Sequence, residues 1–353
     1  MSDAKSTTAT HRNNFDAIRL IAALIVLVFH AWPLGDWGSA PRVMGWPVYT
    51  VAVFVFFAVS GQLITQSWFR DPRVIPYVVR RAGRIFPALA VVVVATIFVI
   101  GPFFSSLTTT RYFSDTSTWQ YLWNLLLIAQ YPLPGVFIDN PSDAVNGSLW
   151  SLGPEVACYI GVMLVGVLAV RLSTSLRTAS TVLIGTALLI GYIATAGDGT
   201  LRALNITFTA MMMFFVGGVY ERWGVRRSHV LAGCLVAALV IVAFMGDERV
   251  GHALLVMALP YLTRHIGGGS TPLLRDAARF GDYSYGIYLW GFLILQAVIT
   301  TVPAGQPWLV LICAVPLTLL AAGASWWVVE RPMMALARNW STKRAPSFAL
   351  VGT

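Results

Sequence analysis

Apolar runs about as long as a lipid bilayer is thick recur along this whole chain. A helix needs about 20 mostly apolar residues to cross the hydrocarbon core. Ten segments meet that length, approximately 16–34, 48–67, 85–104, 149–170, 179–196, 203–221, 229–245, 251–266, 283–302 and 307–329. The composition agrees, with 57% hydrophobic and 11% charged residues, where a soluble domain carries about 25% charged. The expected fold is all-α, a polytopic membrane protein of about ten transmembrane helices. A further apolar piece, 119–130, is too short to cross alone and reads as one short re-entrant or interfacial helix.

Charge placement tests this count, because loops on the cytosolic side of a membrane protein are enriched in Lys and Arg. With the N-terminus in the cytosol and the loops alternating, 20 of the 24 basic residues fall inside. Only Arg42, Arg111, Arg202 and Arg249 fall outside. A wrong number of spans would scramble that asymmetry, so both termini are expected in the cytosol. The polar residues 1–14 lack a cleavage site and read as a cytosolic tail, 15–332 as one membrane domain, and 333–353 as a second cytosolic tail. No hydrophilic stretch is long enough for a soluble domain, and no inverted repeat of the transporter kind is seen. The longest outer connection, about 105–148, is rich in aromatics, Pro and Asp and reads as ordered. Cys158, Cys234 and Cys313 lie in apolar runs without metal-like spacing and read as small packing residues.

Ionisable residues inside spans are costly and tend to line cavities or paths. In "FDAIRLIAALIVLVFHAW", Arg19 and His30 are eleven residues apart. That is about three full helical turns, so they share one face, about 16 Å apart along the axis. Asp16 falls about 40° off that stripe. One face of the helix thus marks a polar track from the cytosol inward. The plain alternative makes Arg19 a topology signal and His30 a hydrogen-bonded core histidine. A neutral imidazole in such a place is also a natural general base.

"RDPRVIPYVVRRAGRIFP" brings five arginines to the cytosolic side, with Arg81 and Arg84 as helix neighbours. Arginine forks suit phosphates, although juxtamembrane arginines also serve to fix topology or to touch anionic lipid. "NGSLWSLGPE" leads an Asn-Gly turn, two serines and a tryptophan into a span with Glu155 in its first turns. Ser148 there can cap the helix, and Glu155 can serve the helix dipole or be an acid near the outer mouth of a cavity. "GDYSYGIYLWG" reads as an aromatic belt, and Glu330 with Arg331 in "WWVVERP" as a helix stop and anchor.

Taken in order, these stretches resemble the acyltransferase family 3 membrane proteins, the OafA-type integral membrane O-acyltransferases. The shared arrangements are Arg-x10-His at Arg19 and His30, and Phe-Phe-x-x-Ser-Gly at Phe56, Phe57, Ser60 and Gly61. Further along stand the arginine motif at Arg80 or Arg81 with Arg84 and Pro87, the Ser-Leu-Trp-Ser-Leu-x-x-Glu motif ending at Glu155, and the closing "SYGIYLW" and "VERP". Many members follow Tyr-Leu-Trp with a histidine, and here Gly291 stands instead. This excludes a second catalytic histidine at that position and puts more weight on His30. The chain is expected to be the stand-alone form, without an SGNH domain.

The resemblance implies an O-acyltransferase of the bacterial inner membrane, most simply an O-acetyltransferase. It would pass an acyl group from acetyl-CoA to a hydroxyl of a cell-surface polysaccharide or lipid-linked glycan, among membrane lipid and with no nucleic acid and no metal. His30, Arg19 and Glu155 would be catalytic, Arg80, Arg81 and Arg84 would hold the acyl-CoA, and Asn146, Ser148 and Trp150 would meet the acceptor. The alternative is a transporter or flippase of a glycan or lipid carrier, which would use the same intramembrane polar residues without chemistry.

Overall fold

The computed structural model describes residues 13–169, 172–277, 279, 281–303 and 305–343. All ten expected segments are helical: α1 (Phe15–Leu34), α2 (Val48–Arg70), α3 (Val74–Phe104), α4 (Gly147–Ala169), α5 (Thr174–Thr195), α6 (Gly199–Arg222), α7 (His229–Met245), α8 (Glu248–Gly267), α9 (Ser284–Thr301) and α10 (Pro307–Ser325). Among the described residues, eight helices are long and apolar enough to cross a membrane. Of the other two, α7 has 17 residues and α8 is more polar, carrying Glu248, Arg249 and Arg264. The chain is a multi-pass, all-α membrane protein.

Two expectations are corrected. The stretch from 333, taken as a tail, continues α10 through a π-turn (Trp326–Glu330) into an amphipathic helix, α11 (Arg331–Lys343). It packs along α3, and residues 344–353 lie outside the described residues, as do 1–12 of the N-terminal tail. The single half-helix expected at 119–130 is instead a run of short turns, Thr109–Ser114, Thr116–Gln120 and a 3-10 turn Tyr121–Leu126. Local side chains break it up. Asp115 caps the second turn through the Ser117 N–H at 2.9 Å. Asn124 ties the third to the Gln130 backbone, and Leu127 leaves the helical region with φ 64°.

Because successive helices run in alternating directions, the start of α1, the α2–α3 and α8–α9 connections and α11 share one end of the bundle. This is the basic end, and it gathers Arg19, Arg80, Arg81, Arg84 and Arg338. The opposite end carries the 105–146 segment and a two-residue-stranded hairpin, β1 (Arg42–Val43) and β2 (Trp46–Pro47), with Arg42 opposite Pro47. Its turn residues Met44 and Gly45 both have positive φ, as tight hairpins require.

Helix α2 packs most closely on α6. There Gly61 lies against the Phe214 carbonyl and Gly217 against the Ala58 carbonyl, with no room for a Cβ. Lipid offers little hydrophobic drive for helices to associate, so small residues that let backbones approach are what seal such a contact. Gly61, part of the Phe-Phe-x-x-Ser-Gly motif, is thus a packing residue. Its neighbour Ser60 turns the other way, into the site.

Candidate active site

A cavity of about 260 Å³ opens at the basic end and runs inward between helices. Its walls are Arg19 of α1, Phe56 and Ser60 of α2, Arg80, Arg81 and Arg84 of α3, Ser151, Glu155 and Tyr159 of α4, Tyr285 and Tyr288 of α9, and Met334 and Arg338 of α11. Six helices from distant parts of the chain therefore build one site.

Ion pairs at the mouth sort the arginines into two kinds. Asp282, two residues before α9, is a hub: its Oδ2 accepts from Arg19 at 2.7 Å and from Arg84 at 2.6 Å. Its Oδ1 accepts from the Ser284 hydroxyl at 2.5 Å and the Ser284 N–H at 3.3 Å. Burial alone would raise the Asp282 carboxyl, but the two guanidinium charges and the Ser284 hydrogen bonds hold it well below the usual carboxylate range. Arg84 also reaches Glu330 at 3.4 Å, and the Ser325 hydroxyl donates to Glu330 at 2.9 Å. Glu330, read as a helix stop, is in fact a buried member of this network. Arg80 pairs with Asp71 at 2.8 Å. The Arg73 and Arg80 hydrogen bonds hold the Asp71 carboxyl well below its ordinary value. Arg81 is different. Among the described residues it has no ion pair, and its Nε is buried without a hydrogen-bond partner.

Further in, Glu155 Oε1 accepts from the Ser60 hydroxyl at 3.0 Å and the Tyr159 hydroxyl at 2.5 Å. Glu155 was read as a helix-dipole residue or an acid near the outer mouth. The structure instead turns it into the cavity that opens at the basic end, and no contact joins it to His30.

Asn146, Ser148 and Trp150 form the 3-10 entry to α4, and this turn is fastened to α9. Asn146 Nδ2 donates to the Leu289 carbonyl at 2.8 Å. Tyr288 donates to the Ser148 carbonyl at 2.8 Å and shares a 2.6 Å hydrogen bond with the Ser151 hydroxyl. The cap is also other than expected: Asn146 accepts from the Ser148 N–H at 3.2 Å, and Ser148 itself does not cap. Asn146 and Ser148 are buried, and Trp150 is half-buried.

His30 does not line the cavity. Its ring lies 4.3 Å from that of Tyr49 and 5.6 Å from that of Phe292. Phe292 sits one helical turn beyond Tyr288 on α9, so the two rings link the cavity to the histidine along one helix face. His30 Nδ1 lies 2.8 Å from the Val26 carbonyl. A carbonyl only accepts, so Nδ1 carries the proton and Nε2 presents a lone pair. Among the described residues nothing bonds Nε2, and the side chain is partly accessible. That is the tautomer of a general base.

Sequence reasoning missed Asp282, Tyr159 and Arg338. Asp282 left a trace in "GDYS", where an acid two residues before a serine suits a helix entry. Arg338 left only the amphipathic pattern of α11, read as tail.

Fold and site together define a multi-pass membrane protein with a polar, arginine-mouthed cavity reaching from one surface into the helix bundle. The family model described as an acyltransferase domain matches residues 12–327. The chain belongs to this acyltransferase 3 family and is a membrane acyltransferase. It is 29% identical to a protein named O-acetyl transferase from Shigella phage Sf6, over 96% of this chain and 99% of that protein. It is 26% identical to Nodulation protein 10 of Rhizobium leguminosarum bv. viciae, over 98% and 99%. No solved structure matches the chain.

Proposed function

We propose that this protein is an O-acetyltransferase of the bacterial inner membrane, moving an acetyl group from cytosolic acetyl-CoA to a hydroxyl of a cell-surface polysaccharide or lipid-linked glycan. One observation carries the reading. Arg81 stands without a carboxylate at the mouth of a cavity, while farther along the α1 stripe His30 presents a free Nε2. The 29% identity to a protein named O-acetyl transferase supports the acetyl group.

In this mechanism the phosphates of acetyl-CoA rest on Arg81, beside Arg80 and Arg84. Those two are held in place by Asp71, Asp282 and Glu330, so they add positive field without being free to wander. The thioester arm runs inward past Ser60 and Glu155. Phe292 lies against His30 and one helical turn from Tyr288 on the cavity wall, and the thioester approaches the histidine from this side. His30 Nε2 takes the proton of the acceptor hydroxyl, whose oxygen attacks the thioester carbonyl. The carbon–sulfur bond breaks, and the departing thiolate takes the proton back from His30, leaving an ester and free coenzyme A.

The test is transfer of labelled acetyl from acetyl-CoA to glycan in membranes carrying wild type or His30→Ala. Proton transfer by a placed base contributes about 10²–10⁴-fold, so the variant should fall by that factor while remaining folded. Equal label with both proteins would sink the assignment of His30. Translocation of glycan with no label from wild type would favour the carrier reading.

A further inference from the structure

The C-terminal helix α11 puts a second arginine without a partner at the same mouth as Arg81. Arg338 lines the cavity and, among the described residues, forms no ion pair. It lies beyond residues 12–327, the stretch that matches the family. Its position is well determined by packing. Ala337 presses on Gly83 of α3, where a Cβ on Gly83 would come 2.8 Å from the Ala337 methyl. Ser341 Oγ lies 3.5 Å from the Pro76 carbonyl, and Met334 joins Arg338 on the cavity wall. The small residues let α11 lie close against α3, and this aims the next residue, Arg338, at the mouth.

Arg19, Arg80 and Arg84 spend their charge on Asp282, Asp71 and Glu330. Arg81 and Arg338 have no such partner, and the buried Arg81 Nε lacks even a neutral acceptor. A buried donor left unmade is expensive, so Arg81 calls for a ligand with anionic oxygens, and Arg338, exposed on the cavity wall, offers that ligand a second cation. Two separated cations on two helices fit a ligand with more than one phosphate better than a single anionic group.

Resting on the reading above, we propose that Arg338 is a donor-binding residue that, with Arg81, grips the phosphorylated nucleotide of the acyl-CoA. Helix α11 is then a wall of the donor site, and it selects a full coenzyme A thioester over one that ends at pantetheine.

The experiment compares acetyl-CoA with S-acetylpantetheine, which carries the same thioester and no phosphate, using the full-length protein in membranes. Arg338→Gln should raise KM for acetyl-CoA about ten-fold or more, the size of a lost charge-assisted contact, with kcat little changed. KM for S-acetylpantetheine should stay where it is, and Arg338→Lys should recover part of the loss. Gly83→Leu, which wedges α11 away from α3 without touching Arg338, should reproduce the selective KM rise. An unchanged KM for acetyl-CoA in Arg338→Gln would overturn the proposal, and so would an equal rise for both donors, which would make α11 a packing element only. Failure of the wild type to use acetyl-CoA at all is a different result, and it would remove the donor assignment on which this rests.

Discussion

The two ends of the α1 stripe are held by opposite kinds of interaction. At the basic end, Arg19 is fixed by charge, paired to a half-buried carboxylate that it shares with Arg84. At the other end, His30 is fixed by shape, between the rings of Tyr49 and Phe292 with one backbone hydrogen bond. The difference matches what the proposed mechanism asks of each end. An anion site needs cations whose positions are set but whose charge is not all consumed, and a surrounding ion-pair network with one or two members left over provides that. A general base needs an unprotonated nitrogen, and a neighbour that only accepts, in apolar surroundings, provides that without any charge.

If this contrast is right, the two ends should break differently. The largest effect should come from the shape-held end: His30→Ala should cost about 10²–10⁴-fold in acetyl transfer with little change in thermal unfolding. Next comes the hub of the charge-held end. Asp282→Asn strands Arg19 and leaves Arg84 only Glu330 at 3.4 Å, in a largely buried place where losing a partner runs to about 3–5 kcal/mol. It should appear as a lowered unfolding midpoint in detergent. An unchanged midpoint would mean that the network is not what holds the mouth together.

Tyr288→Phe probes the join between the two ends. It removes the hydroxyl that donates to the Ser148 carbonyl and bonds Ser151, an expected loss of about 1–3 kcal/mol, again read from thermal unfolding. The smallest effect should be at the rim, where Asp71 binds Arg73 and Arg80. Its carboxyl is held low when folded. The stabilisation is therefore fully present above the unfolded value of about 3.9 and is lost as pH falls through the lower folded value. Asp71→Asn should lower stability at neutral pH by what the pairs contribute, about 1 kcal/mol or less for such partly exposed groups, and should flatten the acid limb below about pH 4, where variant and wild type converge.

Much of the fold was legible because lipid enforces a strict rule on sequence. Each crossing needs a long apolar run, and all ten expected segments are helical. The exceptions are instructive. The apolar piece at 119–130 was broken by Asp115 and Asn124, whose side chains satisfy backbone groups locally and so compete with a continuous helix. Helix α11 reads as a tail because its sequence is polar overall, and only the facing surface of α3 gives its apolar face something to bury.

The site divides along the same line. By itself the sequence determined the ten long apolar helices, the gathering of basic residues at one end, and the shared face of Arg19 and His30, because helical periodicity and bilayer thickness act on each segment independently. Tertiary structure decided which arginines are spent and which are free. It turned Glu155 inward toward Ser60 and Tyr159, made Asp282 and Glu330 structural partners, and brought Arg338 to the mouth. Those outcomes depend on distances between residues up to 263 positions apart, and the strength of an ion pair or hydrogen bond is set by such distances and by burial rather than by the identity of either residue alone.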